Sequence, residues 1–350
     1  MPALRALQAL TSKLNQNRRK GLESVRKFLA AAVAAVSLFG LSGCSAFSAP
    51  TLESDLASLK PACEQYTTGD AASKITAKPV AGAAPIINIP AGISSDKIET
   101  NVLSEGKGIK FTGNQLVTLE YIGLNAATNK AFQTSKFDGT DTASEFIKAG
   151  QQLDFCHALS GVKEGSLVAV YVPAMIAHNG KGIAELKVGP QDAIVFIFKL
   201  VKVFLSKAIG SEQPQQAGFP SVVRAVSGQP GVTFLKTDAP TTQKTSVLIQ
   251  GHGDALKLGQ TVTVHYTGFV WSTKVKFDSS WDNGQPAQFK LDKGSLIPGF
   301  VDALKGQKIG SQIITIIPPE KAYGAQAQQQ IPANSTLIFV IDVLGATDAK

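Results

Sequence analysis

Cysteine and histidine are the residue types in this chain that most often carry nucleophilic, redox or metal chemistry. The chain has three cysteines, and no two of them have the CxxC spacing of redox and zinc motifs. The four histidines are scattered without the spacing of metal ligands, at His157, His178, His252 and His265. We therefore predict no metal site and no cofactor.

Cys44 follows a segment that has the order of an export signal. A basic stretch ending at Arg26-Lys27 precedes the apolar run FLAAAVAAVSLFG at 28–40, which is too short to span a bilayer. The next residues, LSGC at 41–44, resemble the bacterial lipobox, in which the cysteine is acylated and becomes the first mature residue. The pattern predicts a lipoprotein signal peptide at 1–43 and lipidation of Cys44. A buried Ala-rich helix is the alternative.

Lipidation implies an exported protein that is anchored to the cell membrane and faces the extracytoplasmic side. The Ser/Ala-rich segment 44–78 is then a tether. Export also places Cys63 and Cys156 in an oxidising compartment. A disulfide between them and a pair of unpaired buried thiols both remain open.

The charge is concentrated at the N-terminus. The formal net charge is +8, but residues 1–43 hold seven Lys/Arg and one acid and so carry +6 of it. The remaining 307 residues carry only +2. Nucleic-acid binding requires a basic surface, so we expect no nucleic-acid partner.

The body of the chain repeats itself at a constant offset of 145 residues. Residues 102–123 match 247–268 with nine identities in 22, and 155–166 match 300–311 with seven in 12. Two copies indicate a domain duplication rather than a solenoid. The predicted parts are a first domain at 79–205, a linker at 206–219 and a second domain at 220–350.

Strand patterns dominate each copy. The segment QTVTVHYTG at 260–268 alternates apolar and polar residues, and 311–318 and 335–345 are rich in β-branched residues. One short helix is predicted after Pro298, ended by Gly306. The fold class is therefore α+β, with antiparallel strands around one short helix in each copy.

Several motifs of the second copy together resemble the FKBP-type peptidyl-prolyl cis–trans isomerases. They occur in order and at near-family spacing: VHYTG at 264–268, KFDSS at 276–280, LIPGF at 296–300, IPPEKAYG at 317–324 and LIFVIDVL at 337–344. The resemblance covers about 248–344. It implies two tandem FKBP-like domains, each an antiparallel sheet curled around one short helix.

The resemblance also implies an aromatic pocket between sheet and helix. Its catalytic residues would be Tyr266, Phe277, Asp278, Ile297, Phe300, Tyr323 and Phe339. Further substrate-binding residues would be Leu296, Ile331 and Phe289. The implied partners are proline-containing unfolded or folding polypeptides and macrolide immunosuppressants.

An apolar pocket suits this reaction. An X–Pro bond must rotate through a twisted state in which amide resonance is lost, and uncatalysed exchange takes tens to hundreds of seconds. The twisted amide is less polar at its carbonyl than the planar one. A dry aromatic pocket therefore disfavours the planar ground state more than the twisted state, without a nucleophile or a metal.

The second copy departs from the family at a few positions. Asn283 stands where many members have an arginine near the acid, and Ala287 stands where an aromatic is common. The loop after Tyr323 is Gln-rich and one residue short. These changes bear on peptide preference and drug affinity more than on the reaction.

The first copy has lost more of the implied pocket. Gln133 replaces Asp278, Gln151-Gln152 replace Leu296-Ile297, and His178, expected to be solvated, replaces Tyr323. We therefore expect isomerase activity in the second copy and a spacer or polypeptide-binding module in the first. The alternatives are a non-enzymatic chaperone or adaptor lipoprotein and a purely structural envelope lipoprotein.

Overall fold

Antiparallel strands dominate the computed structural model, which describes residues 49–57, 59–150 and 153–348. The signal peptide, Cys44 and Gln151-Gln152 lie outside the described residues. None of the helices in the described ranges is long and apolar enough to cross a membrane.

The first half of the described chain contains eight strands and four short helices. The strands are β1 (Thr76–Val80), β2 (Ala83–Asn88), β3 (Glu99–Ser104), β4 (Gln115–Asn125), β5 (Lys130–Thr134), β6 (Ala143–Ile147), β7 (Leu167–Val172) and β8 (Ile194–Val203). The helices are α1 (Leu52–Leu56), α2 (Asp70–Ser73), α3 (Phe155–Leu159) and α4 (Ala174–His178), and a 3-10 turn covers Ala184–Leu186.

The second half adds nine strands, one helix and one 3-10 turn among the described residues. The strands are β9 (Ser211–Glu212), β10 (Ser221–Arg224), β11 (Pro230–Thr233), β12 (Lys244–Gln250), β13 (Thr261–Val270), β14 (Lys276–Ser279), β15 (Ala287–Lys290), β16 (Gln312–Ile317) and β17 (Leu337–Thr347). The helix is α5 (Pro298–Leu304), and the 3-10 turn is Pro319–Lys321.

Two large antiparallel sheets share one strand order. The first sheet runs β3-β7-β8-β4-β5, with β6 also paired to β4. The second runs β12-β16-β17-β13-β14, with β15 also paired to β13 and β9 added outside β12. The 145-residue offset carries the elements of the first half onto those of the second, from β1 onto β10 to α3 onto α5.

The single helix of the second half packs closely against its sheet. Pro298 begins α5, where its fixed φ suits the first turn, and Gly306 follows the helix with φ +82°. A Cβ on Gly299 would lie 2.3 Å from Ile317 Cγ2, so the glycine permits the close approach of α5 to β16. The adjacent Phe300 is thereby buried on the sheet.

Each large sheet is covered on both faces. In β13, Val262, Val264 and Val270 belong to the core under α5, on what we call the site face. Phe269 and Trp271 alternate to the far face, in a separate apolar cluster under the β10–β11 hairpin. The far face of the first sheet is likewise packed against α2 and the β1–β2 hairpin.

The N-terminal segment that the sequence suggested as a tether is largely packed in its described part. Leu52 and Leu56 of α1 lie against the core of the first sheet. Cys63 forms a disulfide with Cys156 of α3, with their Cα atoms 5.9 Å apart. Further along, Ala71 and Ala72 are buried. Any free tether among residues 44–78 is therefore much shorter than that range.

The segment 206–219, interpreted as a linker, is also partly ordered against the second sheet. Leu205 donates its N–H to Leu344 O, and Ile209 donates to Gly310 O at 2.9 Å. Phe204 lies on Gly345, where a Cβ would come within 2.6 Å of its ring. Through these contacts the end of the first half packs directly on β17.

A buried carboxylate fixes the same segment to the far face of the second sheet. Asp342 accepts the N–H of Ala208 at 2.8 Å and the amide of Gln312 at 2.7 Å. Arg224 in turn donates to Gln312 Oε1 at 2.6 Å. Burial raises the pKa of Asp342 to about 6, although these donors and the charge of Arg224 oppose the rise.

The disulfide closes a loop across 93 residues, so its loss should destabilise the chain. We predict that the double variant Cys63→Ser/Cys156→Ser unfolds in urea with a free energy lower by about 4.6 kcal/mol, as chain entropy gives for a loop of this size. Thiol titration of the unfolded, unreduced wild type provides the control. Two thiols titrating from this pair would contradict the disulfide.

The raised pKa of Asp342 predicts a specific pH dependence. The folded state binds the Asp342 proton more tightly than the unfolded state does. The resulting contribution to the free energy of unfolding is complete below about pH 4 and is lost as pH rises through 6. Between pH 4 and pH 7 the free energy of unfolding of wild type should fall by about 2 kcal/mol relative to Asp342→Asn.

His265 is also buried, and burial lowers its pKa to about 4, so its contribution to the pH dependence of unfolding has the opposite sign. Because both chains contain His265, this contribution cancels when they are compared. Urea unfolding at several pH values measures the difference. A difference that is flat from pH 4 to pH 7 would show that Asp342 does not titrate in this range.

Candidate functional site

Five aromatic rings converge on the site face of the second sheet. Phe300 of α5 lies at their centre, and its ring centroid is 5.2 Å from that of Phe339, 6.1 Å from Phe289 and 6.3 Å from Tyr266. Phe277 meets Phe339 at 5.6 Å, edge to face. Edge-to-face pairs of this kind contribute about 0.5–1.5 kcal/mol each beyond burial, so the cluster is held together by its own contacts.

A glycine in β13 makes room for two of these rings. A Cβ on Gly268 would lie 2.5 Å from Phe277 Cζ and 2.9 Å from Phe339 Cε1. Both distances are shorter than a van der Waals contact. The rings can therefore lie directly over the strand only because position 268 has no side chain.

Three aliphatic side chains complete the apolar lining. Ile331 is buried in the aromatic cluster, and Leu296 and Ile297 pack against it at half burial. Ile297 is also the N-cap of α5, and its C=O accepts the N–H of Phe300 at 3.0 Å. The Ile297 N–H has no partner within the part of the chain that the structure describes, so it is available to a ligand.

One tyrosine–carboxylate hydrogen bond introduces polarity into this lining. The Tyr266 hydroxyl donates to Asp278 Oδ2, which reaches it from the neighbouring strand β14. Burial, followed by the bond to Asp278 and that group's charge, raises the pKa of Tyr266 well above its usual value. The hydroxyl therefore stays protonated at any physiological pH, and its proton is directed at Asp278.

Tyr323 lies at the rim rather than in the cluster. It is 39 % exposed, and of the causes that raise the pKa of Tyr266 it is the smallest, after burial and Asp278. The turn before it is held by a Gly324 N–H bond to Pro319 O at 2.9 Å and by Lys321, which pairs with Asp302 of α5 at 2.9 Å. The structure thus brings eight of the ten residues expected from the sequence into one apolar cluster, with Asp278 bonded to Tyr266 and Tyr323 at the rim.

The equivalent face of the first sheet has aromatic rings but a different polar pair. Phe155 of α3 meets Phe196 at 5.5 Å and Phe198 at 5.1 Å, both edge to face. Gln133 donates its amide to the Tyr121 hydroxyl at 2.7 Å, so that tyrosine is an acceptor where Tyr266 is a donor.

The expectation that His178 is solvated is wrong. Its side chain is 9 % exposed, with Nε2 2.8 Å from Asp192 O and Nδ1 accepting the N–H of Gly182 at 3.0 Å. The α4 turn has folded the ring inward, where both nitrogens are engaged with the backbone. His178 therefore offers no hydrogen bond where Tyr323 offers its hydroxyl.

Sequence reasoning missed three residues that shape this site. Gly268 matches Gly123 in the 145-residue repeat, and this identity was the one sequence signal that a side chain is not tolerated there. Ser280, whose hydroxyl accepts the Tyr266 N–H at 2.9 Å, lies in the KFDSS motif, which by itself does not predict this bond. Gln243, which donates to Gly299 O at 2.7 Å, comes from outside every motif and left no signal.

The chemistry open to this face is apolar binding with few polar contacts. Among the described residues no group of three His, Cys, Asp or Glu could hold a metal ion. The polar groups that border the pocket are the Asp278 carboxylate, the Ile297 N–H and the Tyr323 hydroxyl. Such a site suits an uncharged, ring-containing group such as a prolyl residue.

Comparison with known proteins agrees with this description. The family model for FKBP-type peptidyl-prolyl cis-trans isomerase matches residues 253–344. An FK506-binding protein of Streptomyces anulatus is 37% identical over 118 residues, covering 33% of this chain and 95% of that protein. A probable FK506-binding protein of Corynebacterium glutamicum is 40% identical over 118 residues, covering 34% and 98%.

Among solved structures, the crystal structure of FkpA from Escherichia coli matches with 34% identity and a TM-score of 0.30, covering 39% of this chain and 55% of that one. The matched segment of the family model holds all ten pocket residues, from Tyr266 to Phe339. With nearly the whole length of two relatives covered at more than 30% identity, the chain belongs to the family of FKBP-type peptidyl-prolyl cis-trans isomerases.

Proposed function

We propose that this isomerase acts on X–Pro bonds of extracytoplasmic polypeptides, and that catalysis takes place in the aromatic pocket of the second sheet. The observation that carries the proposal is the ring cluster around Phe300, bordered by the Tyr266–Asp278 hydrogen bond. The two sheets would be tandem FKBP-like domains, a view supported by their common strand order.

The pocket would accelerate rotation by differential solvation. A planar X–Pro amide has a strongly polar carbonyl, which water stabilises, whereas the twisted amide has lost resonance and is less polar. Moving the bond into a lining of rings therefore costs the planar form more than the twisted one. Each 1.36 kcal/mol of this difference is a factor of ten, so four decades need about 5.4 kcal/mol.

Directional contacts would select the rotating amide. The unpartnered Ile297 N–H can donate to the carbonyl of the bound peptide, and the rim hydroxyl of Tyr323 can donate to a neighbouring one. The Tyr266 hydroxyl donates its hydrogen bond to Asp278 and therefore does not point at the bound prolyl ring. The interior then offers the prolyl ring only apolar surface.

The first sheet would not catalyse. Its tyrosine hydroxyl accepts from Gln133 and donates to no partner among the described residues, and His178 is turned inward. Its aromatic rings nevertheless survive, with Tyr121, Phe132 and Phe155 half-buried against the core. Those rings favour polypeptide binding without isomerisation as the role of this half.

Export and lipid anchoring are part of the proposal. Support comes from the basic stretch followed by an apolar run, from the lipobox-like LSGC and from the Cys63–Cys156 disulfide. Five residues lie between Cys44 and Pro50, just before α1, so the six residue steps span about 20 Å when fully extended. The folded body would then stand close to the membrane. Macrolide binding is supported by the names of the relatives, FK506-binding proteins.

The full chain tests the location of catalysis through paired variants. Phe300→Leu keeps an apolar side chain but removes the central ring, and we predict that kcat/KM falls about tenfold. Phe155→Leu makes the same change in the first half and should leave kcat/KM within twofold of wild type. NMR exchange spectroscopy on a short X–Pro peptide measures both.

Equal losses in the two variants would refute the assignment to the second half. The rival function, a chaperone without isomerase activity, would be shown by a wild-type chain that suppresses aggregation of an unfolded protein but leaves peptide exchange at the uncatalysed rate.

A dry pocket also predicts an order of severity. Ile297→Gln buries an amide among the rings, which costs about 1–3 kcal/mol or admits water. Tyr323→Phe removes one rim hydrogen bond, worth about 0.5–1.5 kcal/mol. We therefore expect Ile297→Gln to lower kcat/KM more than Tyr323→Phe. The reverse order in the same assay would show that rim hydrogen bonding matters more than dryness.

A further inference from the structure

Strand β13 has a gap in its pairing beside the site. On one edge, its residues 261–264 pair with β15, and its residues from Thr267 onward pair with β14. His265 and Tyr266 fall between the two neighbours. A backbone N–H left unpaired in a buried strand is costly, so the Tyr266 N–H needs a substitute acceptor.

Ser280 supplies that acceptor from just beyond the end of β14. Its Oγ accepts the Tyr266 N–H at 2.9 Å, and its own N–H donates to Tyr266 O at 3.1 Å. Ser280 is 2 % exposed, so water does not compete for these bonds. Two residues earlier, Asp278 accepts the Tyr266 hydroxyl, so both ends of Tyr266 are held by the same short stretch.

His265 orients the Ser280 hydroxyl from the far face of the sheet. Its Nδ1 lies 2.9 Å from Ser280 Oγ, and its ring stacks on Trp281 with centroids 3.8 Å apart. Burial lowers the pKa of His265 to about 4, so the ring is neutral and Nδ1 can accept the serine proton at 2.9 Å, a shorter contact than the 3.4 Å from Ser280 Oγ to Tyr266 O. The serine lone pairs are then turned toward the Tyr266 N–H.

Within the described residues, the first half has an equivalent serine but no histidine beside it and no carboxylate on its tyrosine. Ser135 Oγ accepts the Tyr121 N–H at 2.9 Å, as Ser280 does for Tyr266. At the position of His265 stands Glu120, which accepts the Gly139 N–H at 2.7 Å instead of turning a ring onto the serine. The bond from serine to the tyrosine N–H is therefore common to both halves. Only in the second half of the described chain is the serine paired with a histidine, and there the tyrosine hydroxyl also bonds to a carboxylate.

We propose that Ser280 and His265 form a positioning pair, which fixes Tyr266 and thereby holds Asp278 in the geometry needed for isomerisation. The inference rests on the proposed function for its effect on rate. Neither side chain lines the pocket, and Ser280 bonds to Tyr266 only through the backbone of that residue, so both act through Tyr266. Substrate binding by the rings should persist without the pair, while the rate of rotation should fall.

The test uses the full chain labelled with 15N and ring-13C tyrosine, which gives only five tyrosine spin systems. In Ser280→Ala, the Tyr266 amide should exchange with solvent at least 100-fold faster, and its ring signals should move. Ser280→Thr keeps a hydroxyl and should restore both. His265→Leu should move the same Tyr266 ring signals in the same direction as Ser280→Ala.

Activity separates positioning from stability. Ser280→Ala should lower kcat about tenfold with KM within twofold of wild type, measured at 10 °C on variants that urea unfolding shows to be folded. Ser135→Ala is the matched control: it should lose similar stability in urea while keeping kcat within twofold.

Three results would overturn the pair: an unchanged kcat in Ser280→Ala, an equal loss of kcat in Ser135→Ala, or unmoved Tyr266 ring signals in Ser280→Ala. A wild-type chain without isomerase activity would refute the proposed function instead, and the ring signals would still decide whether the pair positions Tyr266.

Discussion

The pocket depends on a steric constraint in the middle of strand β13. Phe277 and Phe339 occupy the space where a side chain at position 268 would stand, and a Cβ there would come within 2.5 Å of the nearer ring. Because these two rings lie on the strand, Phe339 can meet Phe300 at 5.2 Å and complete the ring cluster. Gly123 shows the same constraint in the first half, where a Cβ would lie 2.4 Å from Phe132. The constraint is therefore a property of the fold, and the polar residues added around it distinguish the two halves.

Burial of the far face explains how the site is kept rigid. The second sheet is covered there by the β10–β11 hairpin and by the segment after β8, which is fixed to Asp342 through the Ala208 N–H. Phe204 packs on Gly345 in the way that Phe277 and Phe339 pack on Gly268, because neither glycine has a side chain. The end of the first half therefore contacts β17 directly. Strands β13 and β17 thus carry the pocket on one face and the junction between the halves on the other. Activity and stability are consequently linked, which is why full-chain variants with matched changes in the first half give the clearest tests.

The sequence was sufficient for the antiparallel strands and the short helix after Pro298, because alternation and turn residues are local. The proposed pocket residues came from the family resemblance instead, and their role stays a prediction. Contacts between distant segments were not accessible in this way. The packing of 206–219 depends on Asp342, more than 120 residues away, and a polar, Gly/Pro-containing segment has the composition of a linker whether or not it pairs. The burial of His178 could not be predicted from the adjacent residues, because its ring is held by hydrogen bonds to the backbone of Asp192 and Gly182. The use of Ser280 as a substitute for a strand partner also requires knowing where β14 and β15 end.

The most direct measurement of the central claim is the catalysed exchange rate of an X–Pro peptide with Gly268→Ala and Gly123→Ala in the full chain. Both variants place a methyl group under an aromatic ring and should lose comparable stability, which urea unfolding can verify. If rotation is driven by the rings closed over β13, Gly268→Ala should lower kcat/KM at least tenfold while Gly123→Ala stays within twofold of wild type. A Gly268→Ala chain that is folded and exchanges the peptide at the wild-type rate would contradict the account.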